Sequence, residues 1–151
     1  RKIVSGHWES FYKHAAFTQV YESLFSLLES KDNKDTLIKS KELKNDFNNF
    51  YQKFNSNNQK YIGHYFRTLY QIIKLIDLQK NFLNKEERQF YSDILRAQLS
   101  SYELVLIFYN CLSTFGEKLK PYVIEYNLLK HLDESILIDT RKDDYLKLFY
   151  G

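Results

Sequence analysis

The chain of 151 residues contains four glycines, one proline, one cysteine and no methionine. So little Gly and Pro leaves scant turn chemistry for a many-stranded sandwich or barrel and favours long helices with few joints. The glycines (Gly6, Gly63, Gly116 and Gly151) are scattered, so no glycine-rich loop is present to cradle a phosphate. A single cysteine, Cys111, can form no internal disulfide and no paired-thiolate zinc site. It lies in the apolar run Leu104–Leu112, where a small buried thiol is the ordinary reading, and it fits a reducing compartment. No Gly-x-Ser-x-Gly elbow occurs. The longest apolar stretch, Leu104 to Phe115, includes Asn110 and falls short of the ~20 residues a membrane span needs, so it reads as a buried core helix. The opening Arg1-Lys2-Ile3-Val4-Ser5-Gly6-His7 lacks an initiator Met and the apolar stretch of a signal peptide, so the chain reads as one helical domain, 1–151, cut from the soluble part of a longer protein.

Aromatic residues are abundant instead: 13 Tyr and 12 Phe, within a hydrophobic fraction of 44%. At helical spacing they read mainly as core, with an exposed patch for protein association as the alternative. The net charge is +3, but basic and acidic residues are mixed along nearly every segment rather than clustered on one face, which disfavours nucleic-acid binding.

Apolar residues recur at three- and four-residue steps, the helical period. The first helix is expected over about 5–30, carrying Trp8, Phe11, Tyr12, Ala15, Tyr21, Leu24, Phe25 and Leu28, and a polar loop over 30–36. A second helix over about 37–54 buries Leu43, Phe47, Phe50, Tyr51 and Phe54; Asn55-Ser56-Asn57-Asn58 is expected to end it, because Asn and Ser compete for backbone hydrogen bonds. A third runs over about 59–82, with Ile62, Phe66, Leu69, Ile73 and Ile76 in one line and Tyr61, Tyr65, Ile72 and Leu75 widening it, so cover on more than one side is expected. Asn84 with Glu87 starts a fourth, whose expected inner stripe is Phe90, Tyr91, Ile94, Leu95 and Leu99. Ser100-Ser101-Tyr102-Glu103 is a capping box, in which Ser accepts from the Glu amide and the Glu side chain reaches back; Leu99 and Leu104 flank it as a hydrophobic staple. A helix therefore starts at Ser101 and runs to about Ser113. Thr114-Phe115-Gly116 forms a joint, and Pro121 suits the first turn of a helix reaching about Leu132. A last short helix is expected near Asp143–Phe149. The fold class is all-α, an irregular bundle of six or seven helices.

The candidate site lies on the two central helices. His64, Arg67 and Gln71 are spaced i, i+3, i+7 and share a face; Arg96 and Ser100 are spaced i, i+4; Glu103 and Asn110 follow. Arg67 and Arg96 sit within otherwise apolar stretches, where an arginine needs a carboxylate or carbonyl partners. One reading is a structural pair, such as either arginine with Glu103 or Asp93; the other is a small polar pocket for an anion or a partner's acidic group. His7, Glu9 and His14 are a weak metal set, and Arg1 with His7 matches the Arg-x5-His spacing of helical nucleases only at a ragged terminus. No metal, cofactor or catalytic residue is assigned.

The block Gly63-His64-Tyr65-Phe66-Arg67-Thr68-Leu69-Tyr70-Gln71, followed by Tyr91-Ser92-Asp93-Ile94-Leu95-Arg96-Ala97-Gln98-Leu99-Ser100 and by Glu103-Leu104-Val105-Leu106 and Phe108-Tyr109-Asn110, resembles the AbiC-like family of phage abortive infection proteins. Lys120-Pro121-Tyr122-Val123-Ile124, Asn127-Leu128-Leu129 and the upstream Tyr21–Leu28 extend the resemblance. It implies bacterial antiphage defence, in which an infected cell stops phage production. Family members often carry hydrophobic spans ahead of a soluble helical part, which implies a cytoplasmic domain tethered to the inner face of the membrane in the full-length protein. The motif-matching positions are His64, Arg67, Tyr70, Arg96, Gln98, Ser100, Glu103 and Asn110. Of these, His64, Arg67, Tyr70, Arg96, Ser100, Glu103 and Asn110 are taken as binding candidates. The function expected is defence by binding a phage or host protein component; a helical nuclease-type toxin and a non-catalytic oligomerisation scaffold, with homo-oligomers, are the alternatives.

Overall fold

A computed structural model describes residues 17–26, 40–137 and 142–151. These form six α-helices and no strand among the described residues: α1 (17–26), α2 (Ser40–Leu78), α3 (Lys85–Ala97), α4 (Ser101–Leu112), α5 (Lys120–Glu125) and α6 (Lys142–Tyr150), with 3-10 turns at Gln79–Asn81, Thr114–Gly116 and Glu134–Ile136. No helix among the described residues is long and apolar enough to cross a membrane. His7, Glu9, His14, Arg1 and the early aromatics of the expected first helix lie outside the described residues, as does the expected loop over 30–36.

The centre is α4. All nine residues from Leu104 to Leu112 are buried, and a helix apolar around its circumference needs cover on every side. Its one polar member, Asn110, donates from Nδ2 to the Tyr51 hydroxyl of α2 at 3.1 Å, so the cost of burying the amide is met. Phe108 stacks on Phe149 of α6, and Tyr109 meets Phe47 and Tyr145. The start of α4 is the expected capping box: Glu103 N–H donates to Ser100 Oγ at 3.3 Å and Ser100 N–H to Glu103 Oε2 at 2.8 Å. Asn84 and Glu87 repeat the device at α3.

The expected break at Asn55–Asn58 does not occur. One helix of 39 residues replaces the two, about 58 Å long at 1.5 Å per residue. The buried or half-buried positions Phe47, Tyr51, Phe54, Asn58, Ile62, Tyr65, Leu69, Ile73 and Ile76 keep the helical period straight through the polar tract. The polar side chains fold back on their own helix: Ser56 Oγ donates to the Gln52 carbonyl at 2.8 Å and Asn58 Nδ2 to the Phe54 carbonyl at 2.9 Å. Tertiary burial of the stripe outweighs the weak turn preference.

Two other expectations fail. α5 stops at Glu125 rather than Leu132, because Asn127 takes a left-handed conformation (φ 50°). Asn127 N–H then donates to Ile124 O and Leu128 N–H to Val123 O, and the buried Leu128 and Val123 complete a Schellman motif. α3 shows the larger departure. Phe90, Tyr91 and Ile94 are exposed, while Ser92 is fully buried and Arg96 is only 11% exposed at its side chain. Leu95 and Leu99 pack against the core as expected, but the helix turns its polar side toward α5 and leaves Phe90, Tyr91 and Ile94 in water. Tyr61, Ile72 and Leu75 of α2 are exposed likewise, so the second half of α2 is not covered on the side they occupy.

Gly116 sits in the joint after α4, where a Cβ would overlap the Asn110 carbonyl and the Cys111 Cα. Gly63 lies inside α2, where a Cβ would meet only the flexible Gln59 side chain at 3.1 Å. Gly116→Ala is therefore expected to lose ~2 kcal/mol or more of unfolding free energy, and Gly63→Ala to gain about 0.5–1 kcal/mol by removing helix-interior glycine. Urea unfolding followed by circular dichroism checks both.

Candidate functional site

The seven candidate residues fall into two groups. Arg96, Ser100, Glu103 and Asn110 spend their side chains inside the fold. Ser100 and Glu103 are the two halves of the α4 capping box. Asn110 is in the core against Tyr51. Arg96 pairs with Asp93 one turn earlier (Nη2 to Oδ1, 3.0 Å) and donates from Nη1 to the Asn127 carbonyl at 3.2 Å. It thereby holds α3 to the carbonyl end of α5, where a cation is favoured. Tyr70 is half-buried, its ring 5.9 Å from that of Tyr122 on α5, with the Lys74 ammonium over it at 5.5 Å.

His64 and Arg67 are different. Both are exposed on α2, and with Thr68, Gln71, Ile72 and Leu75 they line a shallow open groove of about 460 Å³. The side chains of His64, Arg67 and Gln71 make no hydrogen bond or ion pair among the described residues. The helical spacing thus places them on one face, as expected. Their surroundings are an open helix surface, with polar groups toward its N-terminal end and Ile72 and Leu75 beyond. Such a face suits contact with another macromolecule. The sheltered geometry that holds a small substrate against an acid and a base is absent from this groove.

A second polar cluster extends the expected pairing of an arginine with Asp93, which Arg96 makes, to groups the sequence reading did not single out. The Asp77 carboxylate accepts from the Tyr126 hydroxyl at 2.8 Å and from Lys80 at 2.9 Å. Gln89 Nε2 lies within hydrogen-bond distance of Ser92 Oγ (3.1 Å), Asp93 Oδ1 (2.9 Å) and the Tyr126 carbonyl (3.1 Å). Arg88 donates to the Leu83 carbonyl at 2.7 Å. Together with Arg96, these groups bolt the α2–α3 hairpin to the end of α5. Burial raises the Asp77 carboxyl, but the hydrogen bonds from Lys80 and Tyr126, with the nearby Lys80 and Arg88 charges, more than offset this and hold it below the ordinary value. Two signals in the sequence pointed here: Asp77 as the one carboxylate between residues 60 and 78, and an Asn able to adopt the left-handed conformation.

Other shifted groups belong to the core. Burial pushes the Cys111 thiol up to about 12, which makes it inert as a nucleophile. Burial, with the Glu103 carboxylate beside it, raises the Tyr65 hydroxyl well above the usual tyrosine value. Among the described residues no group of three His, Cys, Asp or Glu could hold a metal ion.

Residues 57–136, just over half of the chain, match the model of a family described as "Putative phage abortive infection protein". The match runs from within α2 to the Glu134–Ile136 turn and takes in the open face and the α3–α5 bolt; the upstream Tyr21–Leu28 lies outside it. Searches of curated proteins and of solved structures returned no match.

The two arginines are expected to behave oppositely. Arg96→Ala should cost about 0.5–1.5 kcal/mol by removing its hydrogen bond to the Asn127 carbonyl and its pairing with Asp93, which keeps Gln89, whereas Arg67→Ala should stay within ~0.5 kcal/mol of the parent; urea midpoints decide. Acid titration tests Asp77. Its folded value lies below the unfolded value of about 3.9, so its stabilisation is complete above that pH and is lost as pH falls through the depressed folded value. Asp77→Asn should therefore lower stability at neutral pH and flatten its decline below about pH 4, measured as urea midpoint against pH.

Proposed function

Since the chain belongs to the family described as "Putative phage abortive infection protein", we propose that it serves antiphage defence by binding a protein component of the phage or of the infected host through the open face of α2. The observation that carries this reading is the uncommitted state of His64, Arg67 and Gln71 on an exposed helix face bordered by Ile72 and Leu75. Arg67 offers a permanent cation with a fork of donors and His64 a ring nitrogen that donates; Lys60 lies one turn before His64, and Lys74 two turns after Arg67. Asp77, the one carboxylate between residues 60 and 78, is turned to Tyr126 and Lys80. The complementary partner is an amphipathic segment carrying acidic residues beside apolar ones, docked as a helix against a groove.

Phage plaquing tests both levels of this reading. Cells carrying the intact gene should plaque far less efficiently than cells without it; equal plaquing overturns the defence role. Arg67→Glu combined with Gln71→Ala should abolish protection at unchanged cellular abundance and unchanged melting temperature, because both side chains are exposed. Protection that survives the double variant overturns the α2 face as the binding surface.

A further inference from the structure

The far end of the α2–α3 hairpin carries its apolar side chains outward. Leu75 and Leu78 on α2 are 60% and 62% exposed, Phe82 in the joint 84%, and Phe90, Tyr91 and Ile94 on α3 62%, 48% and 48%. The opposite side of α3 is polar and committed: Gln89, Ser92, Asp93 and Arg96 face the end of α5. Rotating α3 to bury Phe90 and Ile94 would break that bolt, so the fold itself holds the apolar side in water.

We propose that this ridge is where a second copy of the chain docks, forming a two-fold homodimer through paired α2–α3 hairpins. The extent of the surface supports this occupant. Six leucine-, isoleucine- and aromatic-sized side chains at these exposures leave several hundred square ångströms uncovered. A typical monomer's largest apolar patch is about 300–600 Å², and one partner in a standard interface contributes about 800 Å². The charges flanking the ridge complement one another. Lys74 lies one turn before Leu78 on α2, and the exposed Glu86 one turn before Phe90 on α3. With exposed Lys80 and Lys85 also nearby, the rim carries both signs, and a rim of mixed sign can pair with its own copy about a two-fold axis. The ridge and the groove share Leu75, so pairing covers that end of the groove and leaves His64, Arg67, Gln71 and Ile72 available. The inference stands apart from any role in defence.

Sedimentation velocity of the full chain across about 1–100 µM tests it, the range in which a moderate dimer dissociates. A dimer is expected, and Phe82→Ser with Phe90→Glu should weaken it by roughly tenfold or more. Leu78→Lys, an independent exposed position, should act in the same direction. Both should keep the parent's helicity and melting temperature. Ile124→Glu on α5, 48% exposed, is the control and should stay dimeric. A parent that remains monomeric across the range, or a dimer that both ridge variants leave intact, overturns the proposal.

Discussion

Nine consecutive buried residues in α4 impose the arrangement of everything else. A helix with an apolar stripe can rest on a surface; a helix apolar all round has to be enclosed. α2 supplies Phe47, Tyr51 and Phe54 along one side, α6 supplies Tyr145 and Phe149, and the described part of α1 adds Val20 and Leu24. Each such side chain contributes about 1.5–3 kcal/mol by leaving water. The enclosure also explains why α2 runs unbroken. A joint at Asn55–Asn58 would take Phe54 and Ile62 out of register on either side of it. Asn58 and Ser56 instead satisfy themselves on their own helix, and the stripe continues.

Enclosure of α4 leaves α3 and the second half of α2 with less to cover. There the binding of helix to helix passes from apolar contact to hydrogen bonds and ion pairs: Asp77 with Tyr126, Gln89 and Arg96 with the carbonyls that end α5. This polar bolt decides which sides of α2 and α3 face outward. It consumes Arg96 and frees His64 and Arg67. The uncommitted polar face and the apolar ridge therefore arise together from one packing decision. The segment that matches the abortive infection family, residues 57–136, spans both surfaces.

Local chemistry was legible where partners lie a few residues apart. Both capping boxes, the joint after Ser113 and Pro121 at the start of α5 read directly from neighbouring residues, because the bonds that make them are local. The polar tract at Asn55–Asn58 misled, because turn preference is worth little against a buried stripe that stays in phase on both sides of it. Asn127 passed unnoticed, although a residue tolerant of the left-handed conformation placed before Leu128 is a stop signal. Within the candidate set, residue type in an apolar setting could not separate Arg96 from Arg67. The two look alike along the chain and differ only in what lies opposite.

By itself the sequence determined the all-α class, the helix starts at Asn84 and Ser100, the full burial of α4 and the shared face of His64, Arg67 and Gln71. These follow from period, capping and composition, all of them properties of near neighbours. Only the tertiary structure decided that α2 is one helix, that α3 presents its polar side inward, and that Arg96 anchors α5 while Arg67 stays open. Each of those depends on which group from a distant part of the chain stands across the gap, and the spacing of residues along a single helix holds no record of that.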